Sequence, residues 1–460
     1  MKLNLFDKIC AGLILLTVGP LWGQVDDTPH IQPSPAGILV PDNSDNTNPT
    51  SDTRMVTPPP VSGFAYPTTF TSEERSNYFR GGVVFTSAYS DNIEGGVQPV
   101  SDESYSVAPT LALQETTPRS HIQLMYAPGF TFYQHTSSLN ETDQNASIEF
   151  EYRLTPHVTF SAADGFQKSS NVFNQPSLAA SEAISGAAQG GNFSVIAPIA
   201  DRLSNLGDVG LTYQFSRNAE VGVSGTFSNL HYPDPSQVPG LGDASSQDGS
   251  FFYSFRVAKR HYIGAAYQYQ RLISYPTIGT NETQTHALLL FYTVYPTSKL
   301  SFSFFGGPQH STTVEPLSLP STREWLPAAG ASMNWQAQRS TFAVSYAHVV
   351  ASGGGLIGAV QLDSAMASVR QQITKTLVGT LAGGYAQNDV LGSLLAGETN
   401  GHSIIGTVSA RQAFGQHVSV ELGYTRLRQN YSNIAVLSAT PVTNREYISL
   451  AYQFQRALGK

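Results

Sequence analysis

The stretch Asn444-Arg-Glu-Tyr-Ile-Ser-Leu-Ala-Tyr-Gln-Phe-Gln455 decides how the chain is read. Ile448, Leu450, Tyr452 and Phe454 share one parity, and Tyr447, Ser449, Ala451 and Gln453 share the other. Side chains alternate across an extended chain, so this is a strand with one apolar face and one small or polar face. It ends on an aromatic-x-aromatic pair close to the last residue. The same alternation recurs backward through the chain: Val418-x-Val420-x-Leu422-x-Tyr424, Phe342-x-Val344-x-Tyr346 and Val221-x-Val223-x-Gly225-x-Phe227 are three further instances.

Short turns separate these runs, at 116–119, 155–157, 216–219, 258–261, 296–298, 337–340, 372–375 and 413–416. Longer segments rich in Ser, Asn, Gly, Asp and Pro lie between them, at 135–145, 169–206, 230–248, 274–282, 308–324, 387–400 and 429–443. From residue 79 onward the turns and loops delimit eighteen strands, with sixteen as the next count. About 42 residues per strand pair is enough for two membrane-crossing strands, a turn and a loop. Short turns on one rim and long loops on the other is the asymmetry of barrels that cross an outer membrane. A propeller would repeat in fours, whereas this repeat is in twos.

Composition agrees. Of the 460 residues only 13% are charged, about half the usual share of a soluble domain. The hydrophobic share is an ordinary 40%, with 40 Gly, 22 Tyr and 24 Phe. No apolar run past the N-terminus is long enough for a transmembrane helix. A closed antiparallel up-and-down barrel needs this balance. Its outer face meets lipid and stays uncharged, and its lumen meets water. Aromatic residues cluster near the turns (Tyr152, Phe215, Tyr295, Trp335, Phe454) and near the loops (Tyr133, Tyr232, Tyr275, Tyr385, Tyr431). Headgroup-level girdles are the expectation for them. The Thr-Pro-His turn at 155–157 feeding Val158-Thr-Phe160, the repeated turn-and-strand unit and the terminal Tyr452-Gln-Phe454 resemble the porin-like outer-membrane β-barrel proteins of Gram-negative bacteria. The resemblance is architectural, covers about four-fifths of the chain and fixes no single family. It implies a place in the outer membrane, contact with its lipid and assembly by the barrel-assembly machinery. Residues 455–460 follow the final aromatic, where such chains often stop.

Four segments follow. Residues 1–24 read as a signal peptide: Lys2 and Lys8 are basic, Ile9 to Val18 is apolar, and Gly19-Pro20 breaks the run. Residues 25–77 are a Pro-rich linker with no hydrophobic period, expected to be disordered on the periplasmic side. The Pro58-Pro59-Pro60 run offers a contact to a periplasmic partner. Residues 78–456 are the barrel, and 457–460 a short tail. The single cysteine, Cys10, lies in the signal segment, so no disulfide or thiolate metal site is expected downstream. The formal net charge is −8 with no basic cluster, which gives no support to nucleic-acid binding.

With the apolar parity facing lipid, the opposite parity lines the lumen: Gly210, Thr212 and Gln214; Gly222, Ser224 and Thr226; Gln268 and Gln270. Small, hydroxyl and amide groups dominate. The pore-lining candidates that could act on a solute are Glu149, Glu151, Arg153, Arg256, Gln268, Asp363, Arg411 and Glu421. The long segment 169–206 is the candidate constriction, with Asn174, Ser177, Glu182 and Asn192 as its polar residues. No ring of one charge sign is evident. The expected function is therefore a porin-like channel for small, mostly neutral polar solutes. Exopolysaccharide export and a structural or adhesive barrel with a plugged lumen are the alternatives. No metal motif, nucleophile elbow or phosphate loop is present, and no cofactor or enzyme activity is expected. His402-Ser403 is the nearest approach to a hydrolase pair, and it lacks a partner group.

Overall fold

The computed structural model describes residues 77–93, 99–171, 199–234, 240–276, 279–297, 299–315, 320–391, 400–432 and 442–457, with Phe173 and Ser236. The expected signal peptide and nearly all of the Pro-rich linker lie outside these residues.

Eighteen strands form one antiparallel sheet. They are β1 (Tyr78–Ser90), β2 (Asp102–Thr116), β3 (Ser120–Tyr133), β4 (Glu141–Thr155), β5 (Val158–Asn171), β6 (Ile199–Ser216), β7 (Ala219–His231), β8 (Asp243–Ala258) and β9 (His261–Tyr275). The second half holds β10 (Asn281–Thr297), β11 (Leu300–Val314), β12 (Thr322–Gln336), β13 (Ser340–Ser352), β14 (Ala359–Gln372), β15 (Leu377–Val390), β16 (Asn400–Phe414), β17 (Val418–Tyr431) and β18 (Val442–Ala457). Each strand pairs with its sequence neighbours, and β1 also pairs with β18. The sheet is thereby a closed barrel of eighteen strands rather than sixteen. The closing register sets Phe85 opposite Leu450 and Gly81 opposite Phe454. Closure removes both free edges, which lipid could not satisfy.

The expected parity of the closing strand holds: Ile448, Leu450, Tyr452 and Phe454 are all exposed on the outer wall. Around the ring the same face carries Phe130, Val209, Phe251, Leu290, Leu381 and Leu422, with Leu290 66% exposed. Water would not tolerate an apolar surface of this extent, whereas lipid requires it. The aromatic residues divide differently from expectation. Phe215, Tyr275, Trp335, Tyr385 and Phe454 face outward. Tyr133, Tyr232 and Tyr431 are buried inside, and Tyr295 packs its ring edge-on against inward Tyr262 at 5.7 Å. Adjacent residues on a strand face opposite ways, so one register step decides between the girdle and the lumen.

The strands run 13–18 residues, longer than the roughly 9–11 that a bilayer needs. The extra length comes from the segments read as loops. β5 continues to Asn171 and β6 begins at Ile199, so both ends of the expected long loop are strand. Above the apolar belt both faces are polar. The ladder continues there, while the alternation that reveals it disappears.

Candidate functional site

The lumen is the only large interior surface such a barrel offers, and its inward side chains divide it. The Cα atoms of β8 and β13, five positions apart around the ring, come within 8 Å of each other. Between them Phe252, Ala266, Ala287, Leu289, Phe291, Ala328 and Val349 pack with Phe305 into one apolar cluster. The rings fit because each lies over a glycine of the adjoining strand. A Cβ on Gly222 would stand 2.3 Å from Phe252 Cε1, and one on Gly264 2.3 Å from Phe291 Cζ. The barrel is pinched there. The side bounded by β8 to β13 is filled with side chains, apolar at this cluster and polar at Gln268, Gln270, Thr283 and Ser303.

The pinch continues into a second element. β12 and β13 pair only from Gln336↔Thr341 to Ala329↔His348. β13 remains paired to β14 as far as Ser352↔Ala359. Beyond His348 β13 parts from β12, and with β14 still paired to β15 as far as Val360↔Val390 the hairpin turns toward the lumen. Val350 N donates to Gln309 Oε1 at 3.3 Å, and Gly358 N donates to Ser274 Oγ at 2.9 Å. Gly242 N, from the β7–β8 connection, donates to Gly355 O at 2.8 Å. The tip Gly353-Gly-Gly-Leu-Ile-Gly358 needs its glycines. Gly354, Gly355 and Gly358 have φ of 62°, 109° and 101°, a region costly for other residues. Leu356 is 1% exposed and packs with Val360 and Tyr431 against Leu241, Leu362 and Val390. The hairpin thus spans from β13 to inward residues of β17 and of the β7–β8 connection.

Sequence reasoning did not single out 353–358 as a loop with a role. A signal was available: among polar loops, this one alone reads Gly-Gly-Gly-Leu-Ile-Gly. The expected constriction lay at 169–206, and its candidates Asn174, Ser177, Glu182 and Asn192 lie outside the described residues. Phe173, at its start, is described. It packs with Leu427 and Ile405, and Arg445 lies 5.3 Å from its ring centroid. These partners belong to β16–β18, across the ring from β5.

The charged residues segregate. Glu149, Asp208 and Asp248 occupy one inward cross-strand row, through the pairs Glu149↔Ala163, Ala163↔Asp208, Asp208↔Thr226 and Thr226↔Asp248. Glu141, Asp143, Glu151 and Glu220 share that wall by parity, with Arg153, Arg202 and Arg256 among them. Of these, Arg153 stands 3.9 Å from Glu151, and Arg256 donates to Asn218 Oδ1 and to the Arg217 carbonyl, bracing the β6–β7 turn. The wall of β14–β18 and β1 carries Arg370, Arg411, Arg445 and Arg80, with Glu421. Arg411 donates to Ser419 Oγ at 2.9 Å, and Glu421 accepts from Tyr447 Oη at 2.9 Å. Gln268 is buried beside the pinch. The sequence suggested a lining with sparse charge, because residues forty apart in sequence gave no sign that they share a row.

Asp363 is a correction. The register pairs it with His348 on the outward face, where Tyr346 Oη donates to it at 2.7 Å and His348 Nδ1 lies 2.8 Å away. β14 mixes apolar and polar residues on both faces (Leu362, Met366 and Arg370 inward, Asp363, Ala365 and Val369 outward), so its parity was not legible from hydropathy. His402 and Ser403 also part company. His402 lies outward beside Tyr385, and Ser403 is buried inside. Among the described residues, no group of three His, Cys, Asp or Glu side chains could hold a metal ion.

A closed ring of eighteen strands, a lipid-facing apolar wall and short turns opposite long loops decide the class. The chain is an outer-membrane-type β-barrel. No known protein family matches the sequence, and no curated protein matches it. Among solved structures, the barrel is similar to OccAB4 of Acinetobacter baumannii, with a TM-score of 0.41 and 9% identity over 84% of this chain and 99% of that one. It is similar to OccK2 of Pseudomonas aeruginosa, at 0.41 and 9% over 82% and 98%. It is similar also to the ferric citrate transporter FecA, at 0.40 and 8% over 83% and 79%.

Proposed function

We propose that the barrel is an outer-membrane channel for small polar solutes without net charge, constricted by the inward hairpin 349–361. The observation that carries the reading is the lining on the open side of the pinch. Hydroxyl, amide and glycine positions dominate it, with carboxylates on one wall and guanidiniums on the facing one. Opposed walls of this kind set up a field across the lumen and favour no single ion sign. Solutes with hydroxyl or dipolar groups can exchange water for the wall. Glu149 Oε2 and Asp248 Oδ1 are buried oxygens with no protein partner among the described residues, and a passing donor could satisfy them. Burial of Leu356 at the hairpin tip supports a second reading, a barrel closed at rest.

Liposome swelling tests both. Neutral sugars and zwitterionic amino acids should enter faster than cations or anions of equal size. A strong preference for one charge sign would overturn the neutral-solute reading. No swelling, with no steps in planar bilayers, would favour the plugged structural barrel.

A further inference from the structure

The inward turn of β13 leaves a break in the wall that the lumen reading does not use. Above Ala329↔His348, β12 runs on for the seven residues 322–328, paired to β11 but not to β13. No other described strand extends so far past its last outer pair. At roughly 2.4 Å of height per residue for a strand tilted near 45°, the break begins about 17 Å above the turn-side end of β12. That lies inside an apolar band of about 25 Å, so bilayer molecules reach it from outside.

The lips of the break are amphipathic. On the outside, Trp325 is 72% exposed, with its ring 4.9 Å from His310, and Pro327 is exposed below it. Behind them Leu326 packs against Val350, Leu272 and Ala359 at the root of the hairpin. At the rim Arg323 and Glu324 are exposed. Apolar groups at belt depth beneath charged groups at the rim match one aliphatic tail beneath one polar head.

We propose that the β12–β13 break is a lateral portal through which single-chain amphiphiles pass between the outer leaflet and the lumen. The root of the hairpin closes it, and the packing of Leu326 on the cluster of Leu272, Val350, Ala359 and Leu391 is the latch. This route meets the axial path of small solutes inside the lumen and differs from it in crossing the wall.

The test uses the full chain in vesicles containing a fluorescent lysophospholipid in both leaflets. Albumin added outside extracts the outer leaflet only and is too large for the lumen. With the wild-type barrel, the extractable share should rise from half to nearly all. A Leu326→Cys/Val350→Cys variant should return it to half when oxidised and restore it when reduced. Equal extraction from oxidised and reduced protein, or wild-type extraction equal to that of protein-free vesicles, would overturn the portal. The axial reading is judged by conductance and swelling alone, so the two can fail independently.

Discussion

Leu356→Ala, at the tip of the inward hairpin, probes the constriction directly. The side chain is 1% exposed and sits among Val360, Tyr431 and Leu241. Leu-to-Ala truncation at a fully buried site costs about 2–5 kcal/mol. Leu356 itself lies between β13 and β14, outside the barrel ladders, so the cost falls first on the docked hairpin tip. The docked-to-undocked ratio should fall by about 30-fold at the low end and several thousand-fold at the high end. The remaining hydrogen bonds of the tip, Gly242 N to Gly355 O and Gly358 N to the Ser274 hydroxyl, are each worth about 1 kcal/mol and cannot offset the loss. In planar-bilayer recordings the variant should show larger steps or far more frequent openings than wild type. Ile357→Ala, at a half-buried neighbour, should change little. If Leu356→Ala folded into a heat-modifiable barrel with wild-type step size and open frequency, the hairpin would not be the constriction.

Three further outcomes follow from the registers. Leu450→Arg puts a charge on the lipid face and should destabilise the inserted barrel by about 2–4 kcal/mol, read as a lower urea midpoint, whereas Ala451→Arg, on the lumen face, should insert normally. Arg411→Glu should move the reversal potential in a salt gradient toward cation selectivity, while Asp363→Asn, on the outer wall, should leave it in place. At the outer rim, burial acts to raise the Asp102 carboxyl, but hydrogen bonds from Thr136 and His135 outweigh it and hold it well below the usual carboxylate range. A depressed folded value gives stability that is present above the ordinary carboxylate pKa and lost only as pH falls through the depressed one. Protease resistance of the 134–140 loop should therefore stay level from pH 7 to about 4, and Asp102→Asn should lose it at neutral pH.

The lumen residues were legible wherever hydropathy alternated cleanly. Glu149, Glu151, Arg153, Arg411 and Glu421 lie on the inward parity that the apolar neighbours imply. Asp363 failed because β14 has no polar face to read against. Asp208, Glu220 and Asp248 were missed because each is the one inward carboxylate of its strand. Their common wall exists only once β4 to β8 are laid in register.

By itself the sequence determined the closed antiparallel barrel, its strand number, its turns and the parity of its last strand. Those features depend on local periodicity and on the rule that lipid leaves no backbone group unpaired. Only the tertiary structure decided that β13 leaves β12 at His348, that Gly353 to Gly358 cross the lumen, and that the wall opens beside Trp325. Alternation says which face a side chain takes while a strand stays in the sheet. It cannot say where the sheet lets a strand go. That is settled by packing between residues far apart in sequence, Val349 against Phe252 and Leu356 against Tyr431.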